Sequence, residues 1–190
     1  METKTIFFIG KPGCGKDDQS KFLSEKTGWR ILSSGDGFRA IAAEDTPVGR
    51  KMKAEIDAGL LAPHWFAVYL FLKNLFSLAE DESIIFDGFS RKLPEAELAV
   101  EALSWLNRSF SVLYLKVSDE EIKKRISLRK EIQGRVDDTG SIVDERLKEY
   151  YANTEPVVEM FREKGMLIEI DGERAREPIA EDILKVLNLQ

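Results

Sequence analysis

The chain has 190 residues, of which 43% are hydrophobic and 33% charged, a balance that suits one soluble globular domain and excludes a disordered chain. Its net charge of −6 argues against a nucleic-acid coat or a binder of anionic membranes, while leaving room for a small phosphate ligand in a local basic pocket. The one cysteine, Cys14, excludes an internal disulfide and an all-cysteine zinc site and points to the reducing cytoplasm.

Residues 5–9 form the first expected strand and run into a glycine loop that opens a helix over 15–26. A second strand covers 30–33, followed by a stretch from 35 to 63 that reads as two short helices and loops. Pro63 begins an expected helix over 63–79, whose Trp65, Phe66, Tyr69, Leu70 and Leu72 are expected in the core, with His64 as a surface or lobe-packing residue. No stretch is long and apolar enough to cross a bilayer, and no secretory leader is expected. Strand 83–86, helix 94–106, strand 110–117 and helix 119–129 follow, the last with Ser118 and Glu121 in capping positions. A polar loop spans 130–140. The helical pattern over 143–164 contains Pro156, which predicts a kink or break there. Strand 166–170 and helix 178–187 close the order. Continuous apolar strands alternating with helices predict an α/β fold with a parallel sheet and right-handed crossovers. The irregular stretches 35–63 and 130–140 are candidate lobes closing over a ligand.

The first strand ends in Gly10-Lys11-Pro12-Gly13-Cys14-Gly15-Lys16-Asp17-Asp18-Gln19. A glycine loop between strand and helix lets successive amides converge on an anion, and the helix N-terminus adds its partial positive charge. Lys16 is placed to reach the outer phosphates. The usual serine or threonine after that lysine is absent, and two aspartates stand in its place. Acids at a helix N-terminus are favourable without any ligand, so the loop taken alone also reads as an acid-capped turn.

Further motifs follow in order. They are Ser33-Ser34-Gly35-Asp36-Gly37-Phe38-Arg39, Asp57-Ala58-Gly59-Leu60-Leu61-Ala62-Pro63, Phe86-Asp87-Gly88-Phe89-Ser90-Arg91, Arg125-Ile126-Ser127-Leu128-Arg129, Gly134-Arg135-Val136-Asp137-Asp138 and Glu145-Arg146-Leu147. In sequence and spacing the chain resembles adenylate kinases of the short-lid type, within the nucleoside monophosphate kinase family. The resemblance implies a P-loop NTPase-like three-layer α/β sandwich around a five-stranded parallel sheet. It implies one kinase domain over 1–190, with a monophosphate-binding lobe at 34–63 and a short lid at 130–138. The implied partners are ATP as donor and AMP as acceptor, with Mg²⁺ as cofactor, in a cytoplasmic monomer with no zinc, no nucleic acid and no membrane.

By the same resemblance ATP meets Gly13, Cys14, Gly15, Lys16, Asp17, Asp18, Arg125 and Arg129. The acceptor meets Ser34, Gly35, Arg39, Leu61, Ala62, Gly88, Arg91, Glu95, Arg135 and Arg146. Lys16, Asp87, Arg91, Arg129, Arg135 and Arg146 would act on the transferring group, and Asp87 with Asp18 would serve the metal. Arginine suits such work because its planar fork binds phosphate oxygens in pairs. The donor base is expected against backbone near 172–178.

Four positions depart from the family pattern. Asp17 stands at a glycine, Asp18 at a threonine, Ser90 at a usually cis proline and Glu95 at a glutamine. A carboxylate about 5 Å from a phosphate oxygen repels it by roughly 3 kcal/mol at an effective dielectric of 20, so the loop change suggests weakened turnover or a nucleotide-binding or regulatory module. Against that, a carboxylate is a good Mg²⁺ ligand. A serine bond at 90 should be trans. Glu95 either faces solvent or, as a pure acceptor, shifts preference from AMP toward GMP. Cys14 reads as a small side chain filling a tight loop.

Overall fold

The computed structural model describes residues 4–189 apart from 134–139, with backbone only over 129–133 and 140–141. Among the described residues, β1 (Thr5–Gly10), β2 (Arg30–Ser33), β3 (Ile84–Asp87), β4 (Phe110–Lys116) and β5 (Leu167–Asp171) form one parallel sheet in the order β2-β3-β1-β4-β5. β1 is buried on both faces, with Ile6, Phe7, Phe8 and Ile9 all at most 2% exposed. The period of two divides the core. Ile6 and Phe8 join Leu113, Leu115 and Leu23 on one face, and Phe7 and Ile9 join Phe86, Val112 and Phe71 on the other.

The first face is covered by α1 (Lys16–Thr27), α6 (Asp119–Gln133), α7 (Gly140–Glu149) and α9 (Arg176–Val186), and the second by α4 (His64–Leu75), α5 (Leu93–Trp105) and α8 (Glu155–Glu163). This is the expected three-layer α/β sandwich. β1 is flanked by β3 and β4, so the connections diverge at its carboxyl end, where α/β sheets leave a crevice for ligands. α2 (Ser34–Ala42) and α3 (Pro47–Asp57) stand between β2 and α4, where two short helices were expected. Among the described residues no helix is long and apolar enough to cross a membrane.

Several boundaries differ from expectation. The pattern over 143–164 is broken before Pro156, as its proline predicts, and the break takes the form of a π-helical turn at Tyr150–Thr154. Proline has no amide hydrogen to donate, and its ring would strike the carbonyl one turn back. The Glu155 amide therefore bonds the Tyr150 carbonyl, and this wider turn absorbs the misfit. The helix expected from Pro63 to 79 starts at His64 and stops at Leu75, with Pro63 outside it in an extended conformation. α6 runs on to Gln133 rather than ending at Arg129. Trp65 and Tyr69, expected in the core, are 61% and 54% exposed, while Ala67, Phe71 and Leu75 are buried. α4 is apolar on nearly every side, so periodicity alone could not choose its buried face, and Phe71 stacked on Phe89 decides it. The lid expected at 130–138 lies outside the fully described residues.

Candidate functional site

The phosphate loop closes tightly after β1. The Cys14 amide donates to the Lys11 carbonyl at 3.2 Å, and the Cys14 side chain is 1% exposed in the core beside α6. Cys14 is thus the packed small side chain that was expected, and burial pushes its thiol pKa up. Gly13 has φ +81°, and a Cβ there would stand 2.7 Å from Ile126 Cγ1, so only glycine lets the loop lie on α6. Gly15 adopts φ 97° as the N-cap of α1 and supplies no side-chain cap. The first amides of α1 are consequently left for a ligand, with the helix dipole behind them.

This loop forms one wall of a cleft of about 600 Å³ that also takes in the ends of β2 and β3, α2, the turn after α3, and Arg125, Arg146 and Arg176. Lys16 projects from the first turn of α1 and is 9% exposed. Asp87 ends β3 beside it, 4% exposed, with Oδ1 lacking any hydrogen-bond partner. Burial raises the Asp87 pKa, Asp17 adds to the rise through a side-chain hydrogen bond and its charge, and Lys16 and Arg91 oppose it.

The two aspartates of the loop have different surroundings. Asp17 lies against Asp87, with its Oδ1 4.0 Å from Lys16 Nζ. Asp18 turns to α9, where its Oδ2 lies 2.9 Å from Arg176 Nη2. The carboxylate beside Asp87 is thus that of Asp17, while Asp18, expected to serve the metal with Asp87, pairs with Arg176. The bridge to Arg176 offsets the charge of Asp18 in place, although half-exposed pairs of this kind are worth little. Arg174 and Arg176 both line the cleft and were missed in the sequence, where the segment before α9 offered only a blurred register.

Across the cleft, Arg91 donates from Nε to the Gly88 carbonyl at 2.7 Å, and the Ser34 hydroxyl donates to the same carbonyl at 2.8 Å. Thr154, in the π-helical turn, donates to the Arg91 carbonyl at 3.1 Å, so the break in the long helix braces this loop. Arg39 lines the cleft but its guanidinium is engaged by Asp36 one turn back. Arg125 is held by Glu121 at 2.8 Å and donates to the Cys14 carbonyl at 3.3 Å. Gly35, Leu61, Ala62 and Arg146 reach the same space. Arg135 and the side chain of Arg129 lie outside the described residues.

Glu95 does not face solvent. It is 3% exposed, and its Oε2 accepts from the Arg91 amide at 2.8 Å and the Lys92 amide at 3.4 Å, closing the start of α5. Ser90 sits at φ 61° with its side chain 1% exposed and its hydroxyl unpartnered, and no described peptide bond is cis. A left-handed L-residue costs about 1–2 kcal/mol, and a buried unsatisfied hydroxyl about 1–3 kcal/mol. Glycine would relieve both, and part of that gain is lost to its greater freedom in the unfolded chain. Ser90→Gly is expected to stabilise the protein by about 1 kcal/mol and to raise Tm by about 2–4 °C. A thermal melt with an unchanged or lower Tm contradicts that strain.

The adenylate kinase family model matches residues 8–166. The chain is 36% identical over 185 residues to an adenylate kinase of Maricaulis maris, covering 96% of this chain and 97% of that protein. It is 34% identical over 211 aligned positions to one from Chlamydia pneumoniae, covering 98% and 99%. An adenylate kinase of Thermus thermophilus is 35% identical over 170 residues, covering 89% of each.

Proposed function

The chain belongs to the adenylate kinase family, and on that premise we propose that it transfers the γ-phosphoryl group of MgATP to AMP, giving two ADP, as a cytoplasmic monomer. The observation that carries this reading is one cleft with two facing anion sites. The uncapped amides of α1 and Lys16 form one, and Arg91 beside Ser34 and Gly88 forms the other. Phosphoryl transfer asks a protein mainly to align donor and acceptor and to neutralise developing charge.

In this mechanism the loop amides hold the donor's outer phosphates and Lys16 neutralises the charge that builds on them. Arg91, fixed by the Gly88 carbonyl and the brace from Thr154, orients the acceptor phosphate in line. Arg146, which lines the same cleft, meets the transferring group, a role the family resemblance also gives to Arg129 and Arg135. Arg39 completes the acceptor side by exchanging Asp36 for a phosphate. Hard oxygen ligands suit Mg²⁺, and the orphaned Oδ1 of Asp87 offers one. Asp87 would hold Mg²⁺ there, and the ion would supply positive charge against the phosphates.

The pairing of Asp18 with Arg176 and the nearness of Asp17 to Lys16 offset part of the repulsion that the loop aspartates would place on a phosphate. A coupled assay for ADP with MgATP and AMP is the direct test. Folded protein that binds ATP but forms no ADP overturns the kinase reading and leaves a nucleotide-binding module.

Glu95 favours a second reading of the acceptor. Its Oε2 is used by two amides, which leaves Oε1 for a base. A carboxylate oxygen accepts only, and guanine presents adjacent N–H donors where adenine presents one donor and a ring acceptor. An unmatched acceptor costs about 1–3 kcal/mol. Glu95→Gln is expected to raise the AMP-to-GMP ratio of kcat/KM about tenfold. An unchanged ratio discards the base assignment and leaves Glu95 as a helix cap.

A further inference from the structure

We propose that Arg176 is a donor-phosphate residue of this protein and that Asp18 holds it to that task. This role rests on the proposed ATP site at the phosphate loop. Asp18 lies in the first turn of α1, whose open amides form that site, and Arg176 is the first residue of α9. Both line the cleft, with Arg176 Nη2 2.9 Å from Asp18 Oδ2. The carboxylate marks a place where an anionic oxygen already sits against this guanidinium.

The pair is a poor device for stability. The Arg176 side chain is 61% exposed, and ion pairs so open to water contribute little to folding. Docking of α9 on α1 is served by other groups. Ile179 and Ile183 pack in one core with Leu23, and buried Gln19 donates from Nε2 to the Arg176 carbonyl at 3.0 Å. That bond also fixes where the Arg176 side chain begins. The guanidinium is not used up, since it meets Asp18 through Nη2 and its Nε and Nη1 have no partner among the described residues. Arg174 is the contrast. It lines the same wall, but its fork is divided between Asp171 at 3.4 Å and Asp182 at 2.5 Å.

An arginine fork can serve two anions at once, because its five N–H groups point along different edges of one plane. A phosphate at the amides of α1 comes close to Asp18, and the two like charges repel. Arg176 between them reverses the sign. Its Nη2 stays on Asp18 while the rest of the fork meets a phosphate oxygen. Lys21, one turn further along α1, lines the same wall, so two cations stand around the one carboxylate. The hydroxyl that the family pattern places at position 18 is thereby replaced by a charged contact brought in from α9.

Isothermal titration of ATP into the chain, without AMP, is the test. Arg176→Met is expected to weaken ATP binding about tenfold, with AMP binding changed by less than about twofold and Tm held within about 2 °C. Arg176→Lys should lose about fivefold or more, since one ammonium keeps the charge but cannot span two anions as a planar fork does. Adding Asp18→Asn to Arg176→Met should restore about threefold or more, because the carboxylate left bare by the first change is then gone. Parental ATP affinity in Arg176→Met or in Arg176→Lys overturns the proposal. It also falls with an equal loss toward AMP, with no gain from Asp18→Asn, or with a parent that binds no ATP. ADP formation in a chain whose Arg176→Met variant binds ATP like the parent removes this role and keeps the kinase. The expected binding pattern in a chain that forms no ADP does the reverse.

Discussion

Lys16→Met is expected to lower kcat/KM for ATP about 10³-fold, a loss of about 4 kcal/mol in transition-state stabilisation. Lys16 is the ammonium that the phosphate loop itself contributes to the cleft, and at 9% exposure its charge acts where water screens little. Methionine keeps an unbranched stem and a good helix propensity, so α1 should form unchanged. Nor should the fold suffer from Asp87. Its carboxyl pKa is already raised by burial, and with the opposing ammonium gone it accepts a proton more readily. Initial rates of ADP formation at varied ATP, with a melt on the same sample, test the expectation. A loss smaller than tenfold would mean that the amides of α1 carry the donor phosphates without Lys16.

Gly49→Ala is expected to destabilise the protein by about 3 kcal/mol, the upper end of overpacking costs, and to lower Tm by about 6–12 °C. Two effects of opposite sign meet here. Glycine inside a helix is worse than alanine by about 1 kcal/mol, so propensity alone favours the substitution. A Cβ at 49 would, however, stand 2.2 Å from the Glu44 carbonyl oxygen and 2.7 Å from that of Ile41. These are backbone atoms, which cannot rotate away as a side chain does. α3 would have to move off the end of α2, breaking the cap in which the Gly49 amide donates to Thr46 at 2.9 Å. α2 carries Ser34, Gly35 and Arg39 into the cleft, so KM for AMP should rise about tenfold while KM for ATP holds, a change of about 1.4 kcal/mol on one side only. A higher Tm in the variant would mean that the two helices separate without cost.

The site was legible wherever a short segment carries its own chemistry. Gly13, Gly15 and Lys16 lie within one loop, and their spacing alone predicts a helix N-terminus left for an anion. Ser34, Gly88 and Arg91 were legible as motif residues because each motif is a few residues long. The contact between the Ser34 hydroxyl and the Gly88 carbonyl was not, since it joins segments from different strands. Asp18 shows the limit most clearly. Its place at the family's threonine suggested a role at the metal, and Arg176, far along the chain, is the partner it finds in the fold.

The alternation of strands and helices, the phosphate loop and the order of the cationic motifs could all be read from the residues in line. Each follows from local rules: apolar runs bury, glycine permits left-handed turns, and proline ends helices. Four outcomes had to wait for the folded chain. They are the buried face of α4, the widened turn before Pro156, the closing of α5 by Glu95, and the meeting of Asp87 with Asp17 rather than Asp18. Those outcomes depend on how distant segments pack against one another. A one-dimensional pattern records which side chains seek burial or a partner, and the folded sheet alone selects which partner they reach.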